Sequence, residues 1–60
     1  MMTEDKAVAL INEWFELAKE VGDMNLNRIE YNEERYNYAM TRMDVIREKV
    51  QEYHDSIFKK

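Results

Sequence analysis

The sequence contains no cysteine and no proline, and it has a single glycine among its 60 residues. Without cysteine, no disulfide can stabilise the chain, although chains below about 70 residues usually need a disulfide, a metal ion or a second subunit. The absence of disulfides also favours a reducing compartment. Because helices are broken mainly by proline and glycine, Gly22 is the only strong candidate for a helix breaker.

Long apolar runs are also lacking. The longest spans residues 7–11, whereas a membrane-spanning helix needs about 20 residues. The first residues are acidic where a secretory signal carries Lys or Arg. We therefore expect a cytoplasmic protein without a membrane segment, forming one domain over residues 1–60. Phe, Tyr, Met, Ile, Asn and Lys account for 25 residues and Gly, Ala, Arg and Pro for nine, which is typical of AT-rich bacterial or phage genomes.

Groups suited to catalysis or metal binding are scarce. His54 and Ser56 are the only histidine and serine, and positions two apart point to different sides of a helix. Gln51 stands where an inward-facing Glu-x-x-His metal motif would need glutamate. One glycine cannot build a phosphate-binding loop. The sequence thus predicts a protein that is not an enzyme and has no cofactor or metal.

The first part of the chain predicts an amphipathic helix from about residue 4 to residue 21. Thr3 suits the N-cap position, and two acidic residues follow it in the first turn. Gly22 follows the last periodic apolar residue and predicts the end of the helix. Val8 and Phe15 make the apolar stripe wider than one partner helix would cover. The stripe consists of Ala7, Leu10, Ile11, Trp14, Leu17, Ala18 and Val21.

A second, longer helix is predicted from about residue 27 to residue 58. Asn27 and Glu30 form a capping-box pattern near its start. Beyond that point an uninterrupted heptad pattern indicates one continuous packing face. Its positions are Ile29, Tyr36, Met43, Val50 and Ile57, with Asn32, Ala39, Ile46 and Tyr53 between them.

Two helices joined by a short turn predict an all-α, antiparallel hairpin. The charges agree with this arrangement, because like flanks face each other in an antiparallel pair. One flank of the first helix carries Glu13 and Glu20, and the matching flank of the second carries Arg28, Arg35 and Arg42. Glu20 can therefore pair with Arg28 or Arg35, and Glu13 with Arg35 or Arg42. Exposed ion pairs of this kind specify orientation more than they stabilise.

The two predicted helices differ in length, so the end of the longer one is expected to lack a partner within the chain. A turn centred near residues 24–25 places Glu4 opposite about residue 45. The apolar stripe beyond that point should be covered by another surface. It predicts either a homodimeric helical bundle or docking into a groove on another protein. The residues of this overhang are Ile46, Val50, Tyr53, Ile57 and Phe58.

A second candidate surface lies on the side of the longer helix, away from the seam. It combines tyrosine and arginine, which are enriched at the energetic centres of protein interfaces. The alternative is that the rings pack across a dimer or lie against arginine stems. The predicted partner-binding residues are Tyr31, Arg35, Tyr38, Arg42 and Val45.

These surfaces predict a small non-enzymatic regulatory protein, an inhibitor or adaptor that binds and modulates another protein and is encoded by a phage or mobile element. The alternative is a small RNA-binding bundle, because basic residues cluster on the second helix. Residues 1–30, however, carry seven acidic and three basic residues, and residues 31–60 carry six of each. Phosphate binding depends on local positive charge, so nucleic acid is the less favoured partner.

Two segments, residues 10–15 (LINEWF) and residues 24–28 (MNLNR), resemble the helix-turn-helix core of the Sda family. Sda proteins are small helical hairpins that inhibit a sporulation sensor histidine kinase in bacilli. The resemblance implies an inhibitor of a bacterial sensor histidine kinase, in which the turn around Leu26 and the adjoining helix ends contact the kinase's dimerisation domain. The tyrosines and the length of the second helix depart from that family.

Overall fold

A computed structural model describes residues 3–58 and contains two α-helices joined by a seven-residue connection, residues 26–32. Helix α1 spans Glu4–Asn25 and helix α2 spans Glu33–Phe58, with no strand among these residues. The helices pack antiparallel into a hairpin about 45 Å long. The predicted fold class is confirmed. Residues 1, 2, 59 and 60 of the predicted single domain lie outside the described residues.

Helix α1 begins at the predicted residue because Thr3 caps it. The Thr3 side-chain oxygen accepts a hydrogen bond from the Lys6 backbone N–H at 3.2 Å. The Thr3 carbonyl accepts a second bond from the Ala7 N–H at 3.0 Å. The first bond satisfies one of the four N–H groups that a helix start leaves without helical partners, and the second is the first hydrogen bond of the helix itself. The acidic residues of the first turn are also favourable there.

The end of α1 differs from the prediction, because the helix continues through Gly22 for one more turn. Asn27, with φ of 59°, supplies the left-handed residue that the sequence analysis assigned to the glycine. The Arg28 N–H donates to the Asp23 carbonyl at 2.8 Å, and the Asn27 N–H donates to the Met24 carbonyl at 3.2 Å. This is the Schellman pattern, in which Asn can replace Gly. The extra turn also buries Met24.

Helix α2 begins six residues later than predicted, with Asn32 as its cap. The Arg35 N–H donates to Asn32 Oδ1 at 3.0 Å, and the Tyr36 N–H donates to the Asn32 carbonyl at 2.8 Å. The predicted capping box of Asn27 and Glu30 is wrong, because Asn27 adopts the conformation that ends α1. The two helices are therefore closer in length than expected, about 33 and 39 Å at 1.5 Å per residue.

The core is a single apolar seam between the helices. Ala39 is fully buried in this seam, where its small side chain lets the two helices approach each other closely. The heptad prediction is confirmed for the part of α2 that faces α1. The buried cluster is Leu17, Val21, Ala39 and Ile46, and the side chains packed against it are Leu10, Tyr36, Met43 and Val50.

The overhang of α2 is shorter than predicted. Ile46 is only 1% exposed, and Val50 packs against the same buried cluster. The register of the two interhelical ion pairs places Glu4 level with about residue 51. The expectation that α2 lacks an intrachain partner beyond about residue 45 is wrong for Ile46 and Val50, because both the longer α1 and the longer connection shift the pairing along α2.

Candidate protein-binding surfaces

One side of the hairpin, here called the arginine side, is crossed by two ion pairs. It consists of Glu13, Glu20, Arg35, Tyr38, Arg42 and Val45. Arg42 donates to both carboxylate oxygens of Glu13, from Nε at 2.6 Å and from Nη2 at 3.0 Å. Arg35 donates to both oxygens of Glu20 through Nε, at 2.9 and 2.8 Å. The alternatives left open by the sequence are thus resolved to Glu13–Arg42 and Glu20–Arg35.

The Glu13–Arg42 pair also changes the proton affinity of its members. The hydrogen bonds from Arg42 hold the pKa of the Glu13 carboxyl below its ordinary value of 4.5. The hydrogen bonds to Glu13 raise the pKa of Arg42, and those to Glu20 raise the pKa of Arg35. Both guanidinium groups are therefore charged and held in place at neutral pH.

Tyr38 and Val45 lie beside these arginines and are exposed. The Arg35 guanidinium carbon lies 4.9 Å from the centre of the Tyr38 ring, so it stacks on the ring face. A shallow depression of about 540 Å³ runs between Tyr38, Arg42 and Val45. The structure thus brings together four of the five predicted partner-binding residues: Arg35, Tyr38, Arg42 and Val45.

Tyr31, the fifth predicted partner-binding residue, is not on a helix. It lies in the connection before Glu33, because α2 begins later than predicted. Its ring contacts Tyr36 with ring centres 5.6 Å apart. The expected seven-residue spacing on one helix face therefore applies to Tyr38 and Val45 and does not include Tyr31.

The opposite side of the hairpin, here called the tryptophan side, is mainly apolar. It consists of Val8, Ile11, Trp14, Phe15, Arg47, Gln51 and His54. A groove of about 330 Å³ runs between the helices on this side, with Ile11 and Trp14 on one wall. Ile46 and Val50 form its floor, and Arg47, Gln51 and His54 form the other wall. The groove itself was not predicted, although the sequence analysis placed Ile11 and Trp14 on the apolar stripe of the first helix, and Ile46 and Val50 on that of the second.

No ion pair joins the helices on the tryptophan side within residues 3–58. The polar contacts here are local to α2: His54 Nδ1 lies 3.6 Å from the Asp55 carboxylate, and Gln51 Nε2 donates to Asp55 Oδ1 at 2.9 Å. Val8, Ile11, Trp14 and Phe15 are all exposed. The two sides of the hairpin therefore differ in kind, because one is closed by charge pairs and the other presents uncovered apolar surface.

The end of α2 holds the last three predicted overhang residues. Tyr53 is half-buried, whereas Ile57 and Phe58 are exposed. The Phe58 ring contacts His54, with ring centres 4.7 Å apart. The uncovered part of the predicted overhang is thus its final turn, and its role in binding stays a prediction.

Neither α1 nor α2, the two helices that the structure describes, has the length and hydrophobicity needed to cross a membrane. Among residues 3–58, no three His, Cys, Asp or Glu side chains converge in a way that would hold a metal ion. The chain matches no protein-family model, no curated protein and no solved structure. The similarity to the Sda family therefore stays a prediction from the two short segments that carry it.

Proposed function

We propose that this chain is a small non-enzymatic regulatory protein that binds another protein through its arginine side and thereby inhibits or modulates it. The observation that carries the proposal is the fixed arrangement of Arg35, Tyr38 and Arg42. Tyrosine and arginine concentrate binding energy at interfaces, because they offer large contact areas and directional hydrogen bonds.

The ion pairs prepare this surface for binding. Ordering a free arginine side chain at an interface opposes association, because rotamer freedom is lost. Arg35 is already held by Glu20 on one edge and by the Tyr38 ring on its face. Its hydrogen bonds to Glu20 use only Nε, which leaves the two Nη groups to donate to a partner's carbonyl or carboxylate oxygens. The partner therefore meets an arginine whose geometry is set before contact.

The same ion pairs weigh against RNA as the partner. Phosphate binding is driven by positive charge that is free to replace counterions. Two of the basic residues on α2 are already matched by carboxylates, and the whole chain carries a net charge of −4. A protein surface that offers hydrogen-bond acceptors and an apolar contact for Tyr38 fits the arginine side better.

The proposal is tested by affinity capture from a nuclease-treated lysate of the source organism, followed by binding of the purified captured protein to the chain by calorimetry. We expect one dominant protein that the parent retains and Tyr38→Glu does not. Met40→Glu is the matched control, because it adds the same charge at an exposed α2 position that belongs to neither the arginine side nor the predicted overhang.

Each other outcome of this experiment points to a different function. Equal capture by the parent and Tyr38→Glu contradicts binding through the arginine side. Loss of all enrichment on nuclease treatment favours the RNA-binding alternative. Loss caused by Leu26→Glu in the connection, with Tyr38→Glu unaffected, favours the surface that the Sda resemblance implies.

A further inference from the structure

Helix α1 carries a second apolar stripe in addition to the one that faces α2. The side chains of Val8, Ile11 and Phe15 are 50%, 49% and 59% exposed. Their spacing of three and four residues places them on one face, rotated by about 130° from the centre of the seam residues Leu10, Leu17 and Val21. This face is therefore separate from the one that packs on α2, and it offers apolar side chains to a second helix.

The accessible surface of the chain is larger than that of a compact monomer. It measures 5140 Å², whereas the size scaling of folded monomers gives about 4200 Å² for a 7.4 kDa chain. The excess of about 900 Å² matches the roughly 800 Å² that each partner buries in a standard protein interface. One association of ordinary size would thus bring the chain to the burial expected for its mass.

The charges beside the second stripe are arranged for contact with an identical helix. Asp5, Asn12 and Lys19 lie seven residues apart along its outer edge and are exposed. If two α1 helices pack antiparallel with the two-fold axis near Asn12, Asp5 of each copy faces Lys19 of the other. The same axis brings Val8 of one copy close to Phe15 of the other. Two-fold contacts require such a self-complementary patch.

We propose that a second copy of this chain covers the tryptophan side, with the two α1 helices antiparallel and centred near Asn12. The arginine side lies on the opposite flank and stays exposed in this dimer. The inference is independent of the proposed function, because it concerns a different surface and is read out without any target protein.

The test is sedimentation equilibrium of the full chain over a concentration series. We expect the parent to form a species of twice 7.4 kDa. Phe15→Glu should raise the dimer dissociation constant at least about 100-fold, because two charges enter the apolar contact without partners. Val45→Glu adds the same charge on the arginine side and should leave the dimer intact. Val8→Glu provides a second variant, and far-UV circular dichroism checks that each variant is helical.

A charge swap tests the orientation of the two α1 helices. Asp5→Lys or Lys19→Asp alone should weaken the dimer about three- to tenfold, because each places like charges opposite each other at both ends of the contact. The double variant D5K/K19D should restore the parent dissociation constant. A double variant weaker than both single variants overturns the antiparallel α1 contact.

The remaining outcomes also decide the proposal. A parent that stays monomeric over the whole series overturns it, as does a species larger than a dimer, because a two-fold contact closes at two copies. A dimer that Phe15→Glu and Val8→Glu leave unchanged assigns the contact to another surface. Loss of target binding with an intact dimer contradicts only the proposed function.

Discussion

The arginine side and the tryptophan side flank the same apolar seam, yet they act differently. The arginine side agrees with the antiparallel orientation that the short connection imposes, because the acidic flank of α1 faces the basic flank of α2 only when the helices run antiparallel. The tryptophan side has no interhelical charge pair within residues 3–58 and leaves apolar side chains exposed. The arginine side therefore joins the two helices by ion pairs, whereas the tryptophan side presents apolar surface to a second molecule.

The charge pattern leaves the register of the two helices undetermined. A slip of one heptad would pair Glu13 with Arg35 and Glu20 with Arg28, which is equally complementary. The register is instead selected by the connection, where Asn27 ends α1 and Asn32 starts α2. The connection thus sets both the direction and the register of the two helices, and the ion pairs of the arginine side agree with both.

The largest effect is expected in the seam that both sides share. Ile46→Ala should lower the free energy of unfolding by about 2–4 kcal/mol, because it leaves a cavity in the core. The total stability expected for 60 residues is about 3–9 kcal/mol, so this variant would be close to unfolding. Urea denaturation measures the change. Ile57→Ala, at an exposed position, should stay within about 0.5 kcal/mol of the parent. Equal losses for the two variants would mean that Ile46 is not part of the core and lacks an intrachain partner, as the sequence analysis expected.

The next effect concerns the tryptophan side. Trp14→Ala should lower the free energy of unfolding by about 1–2 kcal/mol, because its ring is partly buried over the groove floor. Denaturation followed by circular dichroism measures the loss. The fluorescence of this single tryptophan in the parent reports the polarity of the environment of its ring. Tyr38→Ala, which removes a ring from the arginine side, is the matched control and should lose less. A larger loss for Tyr38→Ala would mean that the ring on the arginine side contributes more to the stability of the hairpin than Trp14 does.

A smaller effect of opposite sign is expected at Gly22, on the same flank of α1 as Val8 and Phe15. Gly22→Ala should stabilise the hairpin by about 0.5–1 kcal/mol, because the residue lies inside a helix, with φ negative and open space around a new Cβ. Thermal unfolding measures the shift. Had Gly22 been the left-handed residue that ends α1, the same substitution would destabilise, so the sign alone separates the predicted from the observed helix end.

The sequence predicted the features that depend on periodicity. The seam residues from Tyr36 to Val50, the antiparallel orientation and the charged flank all follow from spacings of three, four and seven residues. The helix ends near the connection did not follow, because Gly22, Asn27 and Asn32 all have residue types that end or begin helices. The structure uses Asn27 and Asn32, and the connection they form buries Met24, whose sulfur accepts a hydrogen bond from the Asn32 N–H at 3.5 Å. No local pattern contains that contact.

The candidate surfaces were also predictable only away from the helix ends. Arg35, Tyr38, Arg42 and Val45 lie together because they sit well inside α2, where a boundary error of six residues has no effect. Tyr31 lies between the predicted and the observed start of α2, so it was wrongly placed on the helix. The overhang was overestimated for the same reason, since each residue added to α1 or to the connection covers one more residue of α2.

The smallest effect is expected on the arginine side at low pH. The pKa of Glu13 is below its ordinary value in the folded chain because Arg42 donates to the ionised carboxylate. The pair's contribution is therefore complete above pH 4.5 and is lost as the pH falls through the lower folded-state pKa. Glu13→Gln should be less stable than the parent at neutral pH, by less than Trp14→Ala, and the two stabilities should converge on acidification below pH 4.5. Urea denaturation at a series of pH values measures this, with Glu16→Gln as a control at an exposed glutamate outside the two ion pairs. A difference between the parent and Glu13→Gln that stays constant with pH would mean that the arginine side contributes packing alone, and that charge does not distinguish it from the tryptophan side.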